Sequence, residues 1–203
     1  MNEVNTDAAS PAEVKKNPYT IWFVVLSFVA PVVLAYVMFF FIDVKSFNNH
    51  GELLNPILHI KDFKLRNADQ ELIPEKELTY KWRLVSFVGS SCDKACADQL
   101  HDTRQVYRSL GKNRHRVMQM LVHLEEADPA FSKLIQDEHA EVIRVHGTAD
   151  EIAAVIGSVA NFNQNQVYVM DPMGNVMMRF TADQPNKDFL YDLRKLLKAS
   201  QIG

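Results

Sequence analysis

From Trp82 onward, short apolar runs alternate with longer amphipathic stretches. Trp82 to Val88 is rich in β-branched and large apolar residues, a pattern that predicts a buried strand. Gly89, Ser90 and Ser91 break the run. Asp93 to about Leu110 then predicts a helix, with Leu100, Arg104, Tyr107 and Leu110 near one face and Gly111 as its C-terminal stop. Val117 to Leu124 predicts the next strand. Asp128-Pro129 places a capping carboxylate before a proline in the first turn, so a helix is expected through about Glu138. Val142 to Val145 predicts a short strand. Thr148 and Glu151 form a capping box for a helix from Ala149 to about Val159. Gln166 to Met170 and Val176 to Phe180 flank the turn Asp171-Pro172-Met173-Gly174-Asn175 and predict an antiparallel pair. Pro185 to Ala199 reads as an amphipathic helix with Phe189, Leu193, Leu196 and Leu197 inward.

Upstream the pattern changes. Tyr19 to Ile42 holds no charged residue across 24 positions. At 1.5 Å per residue such a helix spans a bilayer core of about 30 Å. Tyr19 and Trp22 stand where an interfacial aromatic belt would, and Pro31 is a residue membrane helices tolerate. The apolar run is longer than that of a cleaved leader. Lys15 and Lys16 precede it and Asp43 follows, so the positive-inside rule puts the N-terminus in the cytoplasm and the rest beyond the membrane. The expected organisation is a disordered cytoplasmic tail (1–18), a transmembrane helix (19–42), a juxtamembrane linker and N-terminal extension (43–79) and a folded domain (80–203). Ile57 to Leu65 alternates and predicts an edge strand or extended arm, and Asn67 to Leu78 is turn-like around Pro74.

The formal net charge is −3, and no dense basic patch appears. Both argue against nucleic acid as a partner. Internal repeats and low-complexity tracts are absent from the sequence.

The chain has two cysteines, Cys92 and Cys96, and both fall where a strand hands over to a helix. A helix N-terminus carries unpaired N–H groups and partial positive charge, which favour a thiolate. The i, i+4 spacing puts both sulfurs on one helical face, at a Cα separation of roughly 6 Å that a disulfide can close. Four readings follow: two buried structural thiols, a static disulfide, an exchangeable redox pair, or a two-sulfur grip on a soft metal such as Cu(I). In the redox reading Cys92, nearer the helix end, is the exposed nucleophile and Cys96 the resolving thiol.

The element order β-α-β-α-β-α-β-β-α, with a cysteine pair after the first core strand, predicts an α/β mixed sheet flanked by helices and resembles a thioredoxin-like domain. Particular segments resemble the SCO/SenC family, membrane-anchored thioredoxin-like proteins of cytochrome c oxidase assembly. They are Lys81 to Gly89, Cys92-Asp93-Lys94-Ala95-Cys96, Leu124 to Pro129, and Val167-Tyr168-Val169-Met170-Asp171-Pro172-Met173-Gly174-Asn175. The resemblance implies copper handling or thiol–disulfide chemistry at Cys92 and Cys96, a respiratory oxidase subunit or its assembly factors as partner, and an inner-membrane location with the domain on the periplasmic side. That family adds a histidine a few residues before the late tyrosine. Here Asn161 to Gln166 holds none, and Asn163 falls near that position. The chain also lacks the proline that thioredoxins place before the facing strand, ahead of Gln166.

Seven histidines offer replacements. His123 is the strongest candidate copper ligand, because it ends the strand Val117 to Leu124 at the edge expected to hold the cysteines. His101 lies too far round its helix. His50 and His59 fall in the expected linker, and His115, His139 and His146 are expected on the surface. Met118, Met120, Met170, Met177 and Met178 read as packing residues, and Met173 as the one that reaches solvent. Two function classes remain: a membrane-anchored thiol–disulfide or copper-transfer factor, and a non-catalytic accessory protein that uses the domain as a docking surface.

Overall fold

The structure, a computed structural model, describes residues 18–41, 49–157 and 164–202. The chain divides into two compact units, Met1–Asn48 and Asn49–Gly203.

In the first unit, α1 (Pro18–Phe41) is a continuous helix with Pro31 inside it. Its stretch Ile21–Phe39 is long and apolar enough to cross a membrane. The tail expected over 1–18 lies outside the described residues, apart from Pro18 at the start of α1.

The second unit is a six-stranded mixed sheet covered by helices. Its strands are β1 (Glu52–His59), β2 (Trp82–Val88), β3 (Val117–His123), β4 (Ile143–His146), β5 (Gln166–Met170) and β6 (Asn175–Thr181). Its helices are α2 (Glu75–Leu78), α3 (Lys94–Arg108), α4 (Pro129–Glu138), α5 (Ala149–Gly157) and α6 (Asn186–Ala199). The spatial order is β1-β6-β5-β2-β3-β4. β2 runs parallel to β3 and β3 to β4, while β1, β6, β5 and β2 pair antiparallel. All seven residues of β2 are buried, as a central strand covered on both faces requires.

Successive β2 residues feed different clusters. Val85 and Phe87 join Met120, Val122 and Tyr168 in one that also holds Ile152 and Ile156 of α5. Trp82 and Leu84 join Val106 of α3 and Phe189, Leu193 and Leu197 of α6. Val88 and Leu121 join Cys96 and Leu100 of α3 and Phe131 and Ile135 of α4. The buried face of α3 is Cys96, Gln99, Leu100, Thr103 and Val106. It differs from the expected Leu100, Arg104, Tyr107, Leu110 face because Cys96 heads the 3–4 ladder toward the sheet.

The expected caps form. Asp128 accepts from Phe131 N at 2.7 Å, and Thr148 Oγ1 reaches both Glu151 N and the Glu151 carboxylate. Asp171 holds the hairpin turn by accepting from Met173 N, Asn175 N and Asn175 Nδ2. Gly174, at φ +90°, takes a conformation that side-chain-bearing residues avoid.

The expected linker and boundary need correction. The compact unit begins at Asn49, ahead of Tyr80. Glu52 to Pro56, expected as linker, lies within β1, which pairs with β6. The register slips between Leu53 and Leu58 around Pro56, and an edge strand is where a sheet accepts proline. Ile60, Phe63, Leu65 and Leu78 are all in the core. Arg83, buried in β2, donates to the carbonyls of Leu78 and Glu77 and so ties α2 to the sheet. The edge strand expected from Ile57 is present but begins earlier, at Glu52, and ends at His59; Pro56 and the polar residues around it hide its first part, which pairing with β6 reveals.

His50 also belongs to this unit. Its N–H and that of Gly51 donate to the buried Asp192 carboxylate at 2.6 and 2.9 Å, and its ring stands 3.2 Å from the same group. His139, expected on the surface, is buried behind α4, and that burial lowers its pKa.

Candidate functional site

Cys92 and Cys96 form a disulfide with a Cα separation of 5.2 Å. Cys92 lies in the loop after β2 and is half-buried; Cys96 sits inside the first turn of α3 and is 8 % exposed. Cys92 is therefore the more exposed residue of the pair, while Cys96 packs into the core cluster with Val88 and Leu100. β2 ends because Gly89-Ser90-Ser91 cannot continue a buried apolar run. α3 starts because Asp93 caps it: its carboxylate accepts from Cys96 N at 2.9 Å. The loop is tied to α4 by Asp128 N, which donates to Ser90 O at 2.7 Å. Two segments, 89–96 and the start of α4, thus fix the corner that holds the pair.

The site is wet and polar on one side. A hollow of about 510 Å³ beside the disulfide is lined by Gly89, Ser91, Asp93, Cys96, Gln164 and Asn165, with Phe87 and Val88 behind. Asp93 is exposed and is the charged residue of that lining. Lys94, the next residue, bonds instead to Asp98, which raises its pKa. The helix end is therefore not an unopposed positive pole, because a carboxylate already occupies one of its N–H groups.

The structure puts both cysteines at the strand-to-helix corner and brings Asp93, Gln164 and Asn165 beside them, three residues the sequence analysis does not single out. The Asp-x-x-Cys spacing is a capping signal that points to Asp93. Nothing local points to the two amides, which the fold brings back from the start of β5. Asn163, near the position of the resemblance's histidine, lies outside the described residues.

His123 lines other hollows than the one at the disulfide. It does end β3, and its Cα is level with Val88 of β2 and His146 of β4. Its ring packs on Phe131 and His146, with centroids 5.8 and 5.6 Å away, and lines hollows with His146 and Glu126 rather than the one at the disulfide. The ring is 5 % exposed and its Nδ1 has no hydrogen-bond partner. Burial, then the neighbouring His146 and Arg144, bring its pKa down to about 4. Among the described residues no three His, Cys, Asp or Glu side chains gather to hold a metal. The donor set at the corner is thus two sulfurs, which suits Cu(I) only when the disulfide is open.

The family model described as "Transmembrane-like, thioredoxin-like, C-terminal domain" matches residues 82–200. The chain belongs to that family. The expected thioredoxin-like class, a mixed sheet flanked by helices and preceded by one apolar helix, is therefore correct. The family match begins at the first residue of β2, so it covers the cysteine corner and the sheet but not β1.

Solved structures agree on the fold. Arabidopsis thaliana ScoI with copper bound is 17% identical, with 68% of this chain and 97% of that one covered and a TM-score of 0.54. Yeast Sco1 is 18% identical, with 72% and 96% covered and a TM-score of 0.55. BsSco, described through a disulfide switch and as a member of the Sco family of cytochrome c oxidase assembly proteins, is 13% identical, with 71% and 95% covered and a TM-score of 0.53. At these identities the likeness is one of fold. No curated protein matches the chain.

Proposed function

We propose that this chain is an Sco-like, membrane-anchored thiol–disulfide exchange factor that serves the assembly of a respiratory cytochrome c oxidase. The observation that carries the chemistry is the asymmetry of the cysteine pair: a half-buried Cys92 joined to a buried Cys96 at the head of α3. In the reduced protein the Cys92 thiolate attacks a sulfur of a partner disulfide. That bond breaks, one partner thiolate leaves, and a mixed disulfide forms. Cys96, deprotonated, then attacks Cys92 Sγ and expels the second partner thiolate. The partner gains two electrons and this chain returns to the disulfide. The oxidase setting is supported by Sco-like structures, one described as belonging to an oxidase-assembly family. The apolar helix supports a membrane anchor, and Lys15 and Lys16 before it with Asp43 after it favour a domain on the periplasmic side of the cytoplasmic membrane. Tethering confines the search for a membrane-bound partner to two dimensions.

The experiment is trapping. A Cys96→Ser variant lacks the resolving thiol, so it accumulates a covalent complex through Cys92 with oxidase subunits or assembly factors; the Cys92→Ser variant forms none. If both variants trap equally, or neither does, the exchange reading fails.

Copper delivery is a second reading, favoured by the two-sulfur donor set and by the copper-bound ScoI structure. Here Cu(I) is cargo, held by the Cys92 and Cys96 thiolates of the reduced chain. Reduced wild type then binds Cu(I) in titration, Cys92→Ser loses it, and His123→Ala does not, because His123 lines a different hollow. Equal binding by wild type and Cys92→Ser contradicts this reading. A docking protein without chemistry is what remains if both readings fail.

A further inference from the structure

A second hollow, of about 370 Å³, is walled by α3, the start of β5, the end of β6 and the start of α6. Its lining includes Val167 and the stacked rings of Phe180 and Phe189, whose centroids are 4.2 Å apart. Asp98 and Asp102 stand at it. So does Gln99, which is 7 % exposed. Its Nε2 donates to Gln166 O at 2.8 Å, while its Oε1 has no hydrogen-bond partner. Asn165 lines both this hollow and the one beside the disulfide, so the two adjoin. Among the described residues that line them, the fixed charges are Asp93, Asp98 and Asp102; Lys94, beside the lining, is paired with Asp98, so negative charge still prevails there.

Resting on the exchange reading above, we propose that this second hollow receives a lysine or arginine side chain of the redox partner, carried within a few residues of the partner cysteine that meets Cys92. A basic side chain has an apolar stem to lay against Phe180 and Phe189 and a donor-bearing head. Its charge is opposite to that of Asp102, while Asp98 is already paired with Lys94. An acidic side chain meets like charge, and an aliphatic one gains no ion pair. The hollow thereby selects among partner cysteines by what flanks them.

The test uses the full chain in detergent micelles, reduced and carrying Cys96→Ser. Two peptides, identical except for lysine or glutamate two residues from their single cysteine, are each supplied as a disulfide with a chromogenic thiol. The Cys92 thiolate attacks the peptide sulfur, a protein–peptide disulfide forms, and the chromogenic thiolate leaves and is followed by absorbance. The lysine peptide reacts about tenfold faster at low ionic strength, and added salt narrows the gap. Asp102→Asn, at a half-buried position, reduces the ratio to about threefold. Equal rates for the two peptides, or a preference that Asp102→Asn leaves unchanged, overturn the selectivity while the exchange chemistry stands. Reaction with neither peptide overturns the exchange reading and this proposal with it.

Discussion

Cys92 and Cys96 share one bond but not one environment, and Asp93 between them sets part of the difference. Its carboxylate caps α3 through Cys96 N and places a negative charge one residue from Cys92. Asp93→Ala loses the cap and costs about 1 kcal/mol in a denaturant titration. Asp93→Asn keeps an acceptor and removes the charge. It shifts the alkylation of Cys92 in the reduced protein to lower pH, because the helix end then favours the thiolate unopposed. An unchanged pH profile in Asp93→Asn would show that the helix field does not govern this sulfur.

His123 makes a prediction of the opposite kind, about stability rather than chemistry. Folding lowers its pKa from the ordinary 6.5 to about 4, chiefly by burial. Between those values the unfolded chain binds the proton and the folded chain does not. Its contribution is therefore present above pH 6.5 and is lost as pH falls toward 4, on the order of 3 kcal/mol in all. His139, lowered by burial too, acts in the same direction. Urea titrations at pH 7 and pH 5 read this directly: His123→Leu flattens the difference and His139 retains the remainder. A variant as acid-sensitive as wild type would contradict the assignment.

At the scale of elements, the segments that form locally were legible and the start of the one that forms by pairing was not. α4 and α5 carry their caps in sequence, and β2, β3 and β5 are apolar enough to declare themselves. β1 shows only its end, from Ile57, and not its beginning. Its buried positions, Leu54 and Leu58, are interrupted by Asn55 and Pro56, and its register is set by β6. The consequence is testable. A fragment beginning at Tyr80 loses β1 and the core side chains Ile60, Phe63, Leu65 and Leu78, and gives no cooperative unfolding transition. One beginning at Asn49 unfolds cooperatively. Within that longer fragment, Phe63→Ala, which removes a ring facing Phe87 at 6.1 Å, costs about 3–5 kcal/mol by denaturant titration. Cooperative folding from Tyr80 would return β1 to the status of a linker.

For the molecule as a whole, the position of the cysteine pair was legible and its surroundings were not. The cysteine spacing and its place after β2 sufficed to find the corner. A residue's reach from one strand to the next depends on side-chain direction, which explains His123: it ends the right strand, yet its ring stacks toward Phe131 and His146. Gln164 and Asn165 reach the site because they lead into β5, which pairs with β2. The account rests on the Cys92–Cys96 bond being one the protein opens and remakes. Equilibrating the full chain with thiol–disulfide buffers of known potential, and counting free thiols by alkylation, measures this. The account predicts a reduction potential above about −300 mV, with Cys92 alkylated before Cys96. A potential below that value, or a pair that resists reduction until the domain unfolds, would make the bond structural and contradict the proposed exchange.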